Sequence, residues 1–199
     1  MIESRLKKSA KKMSAPPRSE MARFVDHADA EDLIAVAYAT VDSPFGTWIA
    51  AATDTGLVRL ALSPFRTEDV LDDLARRLSP RVLEQPSKLD PVRRELDEYF
   101  AGKRLAFDLA VDWSLVTGFN ERVLRATARI PYGSITSYGT VAREAGSPRA
   151  ARAAGNALHN NPVPIVVPCH RVIGSSGNLV GYGGGLPMKE ALLRMEGAL

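Results

Sequence analysis

Residues 137–159, SYGTVAREAGSPRAARAAGNALH, decide the reading of this chain. Ser137 to Ala145 has helical spacing, and Gly146 is a stop, since glycine takes the left-handed backbone that ends a helix. Ser147 and Pro148 then offer an N-cap and a first helical residue. Two short helices joined by a glycine turn predict a helix-turn-helix. The second helix, expected over Pro148 to His159, is nearly all alanine and glycine around Arg149 and Arg152. Small side chains let a helix backbone approach a groove closely and leave Arg152 as the one long probe. The same composition suits an Ala-rich helix buried in a core, and the stretch alone does not separate the two.

C-terminal to it, Asn160-Asn161-Pro162-Val163-Pro164 is too proline-rich to be helical. The apolar run through Val167 leads into Pro168-Cys169-His170-Arg171, which holds the only cysteine. A free thiol has a pKa near ~8.5, and cationic neighbours raise its thiolate fraction. Cys169 therefore reads as a nucleophile, with a small buried hydrophobe as the alternative. The glycine-rich loops 174–177 and 181–185 follow, offering a tight lip with Tyr182 as hydroxyl donor. They do not match a nucleotide-binding fingerprint. A last helix is expected over Pro187 to Met195, carrying Lys189 and leading to Glu196.

N-terminal to the opening stretch, Phe119 to Ala128 is an amphipathic helix bearing Arg122, Arg125 and Arg129. Composition changes near Ser114 to Gly118, marking a boundary. Before it, Leu33 to Val41, Thr47 to Thr53 and Leu57 to Leu62 predict an antiparallel meander, followed by helices over Glu68 to Leu78 and Pro91 to Ala101. Leu105 to Val111 suggests a further strand. This part is α+β and shows no catalytic cluster. Residues 1–30, with Lys7, Lys8, Lys11, Lys12 and Pro16-Pro17, lack apolar periodicity and read as a basic disordered tail. The expected organisation is thus a tail over 1–30, an α/β domain over 31–113 and a mostly helical domain over 114–199.

Charge is split along the chain. Residues 1–23 hold seven Lys/Arg against two Glu, residues 24–116 ten against seventeen acidic residues, and residues 117–199 nine against four. The segment containing Cys169 is basic, as a polyanion-binding surface requires. One cysteine excludes an intrachain disulfide or a cysteine-built zinc site, and His27, His159 and His170 are too scattered for a ligand cluster. No stretch approaches the roughly 20 apolar residues of a membrane span. A cytoplasmic protein without metal, cofactor or membrane attachment is expected.

From about Phe119 to Gly197 the residues resemble the O6-alkylguanine-DNA alkyltransferases, or methylated-DNA–protein-cysteine S-methyltransferases. The resemblance runs through Ile130-Pro131-Tyr132-Gly133, Ser137-Tyr138-Gly139, Ala151-Arg152-Ala153, Asn161-Pro162, Pro168-Cys169-His170-Arg171-Val172 and Gly184-Gly185 to Lys189 and Glu196. It implies a ribonuclease-H-like α/β domain before a winged-helix-like domain with a helix-turn-helix. The implied protein is a monomer that binds the minor groove of double-stranded DNA, flips O6-alkylguanine, with O4-alkylthymine a further candidate, and transfers the alkyl group irreversibly to Cys169.

The resemblance also implies roles. Arg152 fills the space left by the flipped base, flanked by small Ala151, Ala153 and Ala154. Tyr138 crowds the phosphate and donates to guanine N3. His170 relays the thiol proton and Glu196 orients it, while Arg171 is structural. Asn161 braces the turn, and Pro164 packs on the base. The carbonyls of Cys169 and Val172 read the exocyclic amine, and Tyr182 lies near O6. Lys189 joins the substrate-binding set. Gly183 stands where some members carry a serine, leaving a backbone N–H for that place. Two other readings remain open on the residues themselves. One is a cysteine hydrolase, disfavoured because neighbours on an extended segment point opposite ways. The other is a non-catalytic helix-turn-helix DNA-binding or damage-sensing protein.

Overall fold

The computed structural model describes residues 18–31 and 33–199. The chain divides into two compact units, Met1–Leu33 and Ile34–Leu199. In the first, α1 spans Arg18–Ala30, where the sequence suggested only tail. Phe24, Val25 and Ala28 recur at helical spacing there, and Val25 and Ala28 are buried. The lysines at 7 to 12 lie outside the described residues.

The second unit opens with strands β1 (Val36–Val41), β2 (Trp48–Thr53) and β3 (Gly56–Ala61), each pair antiparallel as the meander predicts. Gly56 at the β2–β3 turn has φ +145°, and a Cβ there would meet the Ala110 carbonyl oxygen at 2.3 Å. Helix α2 (Thr67–Arg77) then crosses to β4 (Val82–Glu84), which pairs parallel to β1, giving the order β3-β2-β1-β4. Val70 and Leu74 of α2 pack with Val36, Ile49, Ala51, Val58 and Ala61 in the main apolar cluster. Helix α3 (Asp90–Phe100) buries Val92, Leu96 and Tyr99, and its Phe100 meets Trp48 edge-on at 5.8 Å.

One expectation fails here and one strand was not expected. The strand over 105–111 is absent: its residues are exposed or half-buried, and only Val111 forms a bridge, to Leu57. The fourth strand is instead the three-residue β4. Its Val-Leu-Glu is too short for alternation to show.

Helix α4 (Gly118–Thr127) starts the C-terminal half, and Thr136–Ser137 form the short β5. Ser137 caps α5 (Tyr138–Glu144), its Oγ accepting from the Thr140 N–H at 3.1 Å. Gly146 ends this helix with φ +79°. Its N–H donates to the Arg143 carbonyl and that of Ser147 to the Ala142 carbonyl, the paired bonds of a Schellman motif. Ser147 and Pro148 do not open the next helix. They form a turn closed by Ala150 N–H to Ser147 O at 3.0 Å, and α6 runs Ala151–His159. Arg122 of α4 donates to the Ala145 carbonyl, tying α4 to the turn. After the Cys169–Arg171 turn, β6 (Val172–Ile173) pairs parallel to β5, and α7 (Leu186–Met195) closes the fold.

Candidate active site around Cys169

The chain from Asn161 to Val167 builds the floor beneath the cysteine. Asn161 Nδ2 donates to the Val167 carbonyl at 2.8 Å, while its Oδ1 accepts the Val163 N–H at 3.1 Å. This clamp holds Ile165 at φ +74°. A β-branched residue there costs roughly 1–3 kcal/mol. Full burial of Val163, Ile165 and Val167 opposes that cost. The same Asn161 amide donates to Cys169 Sγ at 3.3 Å, a bond that favours the thiolate.

Cys169 begins a single 3-10 turn through Arg171 rather than lying on an extended segment. The opposite-facing argument against a thiol-imidazole contact therefore loses its basis. No hydrogen bond joins Cys169 Sγ to the His170 imidazole nonetheless. Burial pushes the thiol pKa up, against the Asn161 hydrogen bond and the charge of Lys189, which pull it down. The neighbouring cations thus do not leave a free thiolate in the resting protein.

His170 is wholly buried, and its Nε2 meets Glu196 Oε1 at 3.0 Å. Burial lowers the imidazole pKa, though the Glu196 carboxylate opposes it. Burial alone would raise Glu196, but hydrogen bonds from His170, Arg171 and Tyr99 outweigh it and bring the carboxyl down to about 2. An ionised carboxylate only accepts, so the neutral imidazole carries its proton on Nε2. Nδ1 is left as a lone-pair acceptor, buried and without a hydrogen-bond partner. That is the arrangement of a general base held by a third group.

Arg171 grips the same carboxylate twice, Nε to Oε2 at 2.9 Å and Nη2 to Oε1 at 2.8 Å, and donates to the Ile130 carbonyl. The remaining donor comes from the other half of the chain. Tyr99 on α3 gives its hydroxyl to Glu196 Oε1 at 2.6 Å. Sequence reading passed over Tyr99, since tyrosine at core spacing with Val92 and Leu96 looks like packing. The available signal was its hydroxyl, which needs a partner once buried.

Lys189, grouped with the substrate-binding residues, is fully buried. Its Nζ donates to the Val172 carbonyl at 2.6 Å and the Val180 carbonyl at 2.9 Å. Desolvation lowers its pKa to about 8, although the nearby Cys169 raises it. Tyr138 is half-buried and also donates to Val180 O, at 3.2 Å, while the buried Tyr182 hydroxyl has no hydrogen-bond partner.

Three spaces arrange the remaining candidates. Cys169, Tyr138, Gly155 and Tyr182 line a narrow cavity of about 60 Å³. A wider cavity of about 470 Å³ reaches Cys169, Asn161, Pro164, Tyr182 and Gly183 and extends to Leu62 and Arg59 of the sheet half. An open groove joins Tyr138, Ala151 and Arg152. On α6, Arg152 and Ala153 are exposed and Ala151 half-buried, but Ala154 is fully buried. That alanine belongs to the core, so groove approach does not account for all of the helix's small residues. Among the described residues, no group of His, Cys, Asp and Glu could hold a metal ion.

Two family models cover most of the chain: the 6-O-methylguanine DNA methyltransferase DNA-binding domain over residues 118–198, and the ribonuclease-like domain of the same family over 36–113. A methylated-DNA–protein-cysteine methyltransferase of Mycolicibacterium paratuberculosis is 42% identical over 161 residues, covering 81% of this chain and 92% of that protein. The constitutive enzyme of that name from Bacillus subtilis is 40% identical over 80% of this chain and 94% of its own length. The crystal structure of Mycobacterium tuberculosis OGT in complex with DNA superposes with a TM-score of 0.69 at 39% identity, covering 81% of this chain and 93% of that one. Models over both halves, and relatives matched along nearly their whole length, place this chain in the 6-O-methylguanine DNA methyltransferase family.

Proposed function

We propose that this protein repairs DNA by direct reversal, moving an alkyl group from guanine O6 to Cys169 in a single turnover. The observation that carries the reading is that Cys169 lines a cavity and is followed in the chain by His170 and Arg171, which share one buried array with Glu196. In the reaction, Cys169 Sγ attacks the alkyl carbon, the bond to O6 breaks, and its electron pair leaves with guanine. The thiol proton passes to the free Nδ1 of His170, across a water where no direct contact exists, and Glu196 stabilises the cation formed. Tyr138 and Tyr182 border the narrow cavity, where their hydroxyls meet charge developing on the departing base. A thioether is a stable product, so no second turnover follows.

The protein binds DNA. We assign the contact to the minor groove of duplex DNA, with Arg152 taking the place of the extruded nucleotide and Ala151 and Ala153 admitting the helix closely. Asn161 holds the floor, and Pro164, Val172 and Gly183 border the base. We assign Lys189 to positioning the Val172 and Val180 carbonyls from within. The domains divide near residue 114, and the protein acts as a cytoplasmic monomer. Among the described residues no helix is long and apolar enough to cross a membrane.

Intact-mass measurement after incubation with duplex DNA containing O6-methylguanine tests this. The expected product is one added methylene per protein, on the peptide bearing Cys169, with no further gain on longer incubation. An unchanged mass with competent substrate refutes it.

A further inference from the structure

The wider cavity at Cys169 is also lined by residues of α2 and β3. Arg59, Asp73 and Arg77 give this part of the lining its charge, and Leu62 and Phe65 are apolar. Three guanidinium groups surround the one carboxylate. Arg76 hydrogen-bonds Asp73 at 3.2 Å, Arg77 approaches it at 3.6 Å and Arg59 lies at 3.9 Å. Arg77 is also committed to the Leu115 carbonyl. Arg59 differs: its side chain is 23% exposed and makes no hydrogen bond to a described residue. Five N–H donors in a partly desolvated recess, facing a carboxylate already engaged by others, amount to an unfilled acceptor site. Burial lowers the Arg59 pKa, and Asp73 only partly offsets it, as expected of an under-compensated cation.

We propose that Arg59 forms an anion subsite for O6-alkyl groups that end in a carboxylate. The proposal rests on the alkyl-transfer reading above. A methyl group is one carbon long and stays at Sγ. A carboxyalkyl group on the same oxygen continues into the cavity, where its terminal oxygens take the Arg59 donors. The chemistry does not change. Sulfur bonds to the first carbon, the bond from that carbon to O6 breaks with its electron pair going to guanine, and the thiol proton ends on the released base. The carboxylate is carried unaltered onto Cys169. A DNA phosphate is the other anion to consider, but Arg59 lines the same cavity as Cys169.

The test compares single-turnover transfer from duplexes bearing O6-carboxymethylguanine and O6-(3-carboxypropyl)guanine. Each is paired with the neutral carboxamide of the same length, so that intrinsic reactivity cancels. In the wild-type protein the acid is expected to react faster than the amide for at least one length. Arg59→Gln should abolish that preference, slowing the acid about tenfold or more, the effect of losing a charge-assisted hydrogen bond. Its rate on O6-methylguanine should stay within about twofold, which also reports that the variant folds. Arg59→Lys should keep part of the preference. Equal acid and amide rates in the wild type, or a preference that survives Arg59→Gln, overturn the subsite. A uniform loss on acid, amide and methyl substrates alike assigns Arg59 to DNA phosphate or to structure and equally overturns it. Absence of any transfer from O6-methylguanine by the wild type overturns the alkyl-transfer reading instead.

Discussion

Lys189 shows how one buried side chain can matter to a reaction it does not touch. Its ammonium is tied to two backbone carbonyls and still lowers the cost of a negative charge on Cys169. Lys189→Met should therefore raise the thiol pKa further. The pH-rate profile of methyl transfer should move to higher pH, with transfer at pH 7 slowed about tenfold per unit of that movement. Stopped reactions across pH 6 to 9 would show it, and an unmoved profile would confine Lys189 to holding the loop. Cys169 was legible from its own motif, whereas His170 and Glu196 joined it only through the family resemblance, since they stand 26 residues apart. The interior place of Lys189 was not legible, because a lysine on an amphipathic helix reads as solvent-facing until the surrounding carbonyls are known. Cys169 itself combines both of its early readings. It is a buried thiol and also lines the cavity.

At the scale of elements, the stops and caps written into residues 137–146 describe α5 closely, since Ser137 and Gly146 act through local hydrogen bonds. The start of α6 escaped the same reasoning. Ser147-Pro148 is equally good chemistry for a turn, and the choice between turn and helix depends on where α6 packs. On that helix Arg152 points out of the core, and Arg152→Ala should slow transfer from duplex DNA about tenfold or more, as expected when an unstacked base loses its replacement. Reaction with the free base should change little. Equal losses on both substrates would contradict the stack-filling role. The link between α3 and the end of α7 left no local trace in the sequence, because its partners stand 97 residues apart. Tyr99→Phe should cost about 1–3 kcal/mol in urea unfolding, the effect of leaving a buried carboxylate one donor short. No change in stability would mean that Arg171 and His170 together satisfy Glu196.

For the molecule as a whole, the buried array predicts how stability responds to acid. Glu196 has a folded pKa of about 2 against an ordinary value of 4.5. A carboxyl lowered by folding contributes fully above its unfolded pKa and loses that contribution as pH falls through the folded one. Asp112 acts in the same direction, its burial outweighed by hydrogen bonds from Thr53 and Ser114. Urea midpoints should hold steady near neutrality, begin to fall below about pH 6.5 as the unfolded chain takes up a proton that the buried His170 resists, and fall further between about pH 4.5 and 2. Glu196→Gln should flatten that fall and cost about 3–5 kcal/mol at pH 7, because it strips a buried arginine of its counter-charge. A wild-type midpoint that does not fall in this window would show that the array is not ionised as described. The meander and main helices of the sheet half were readable from periodicity. The parallel β4 was not, since three residues carry no period and only the crossover through α2 brings them to β1.

The Tyr99 hydroxyl on Glu196 makes the sheet half more than a support for the half that carries the cysteine. A minimal repair module cut to residues 118–198 would keep every group that the reaction names. It would also inherit a carboxylate missing one of its donors, in a pocket newly open to water. Such a fragment would enter the reaction with its base already loosened, and its designer would have to supply a substitute for a tyrosine that belongs to neither the DNA surface nor the thiol.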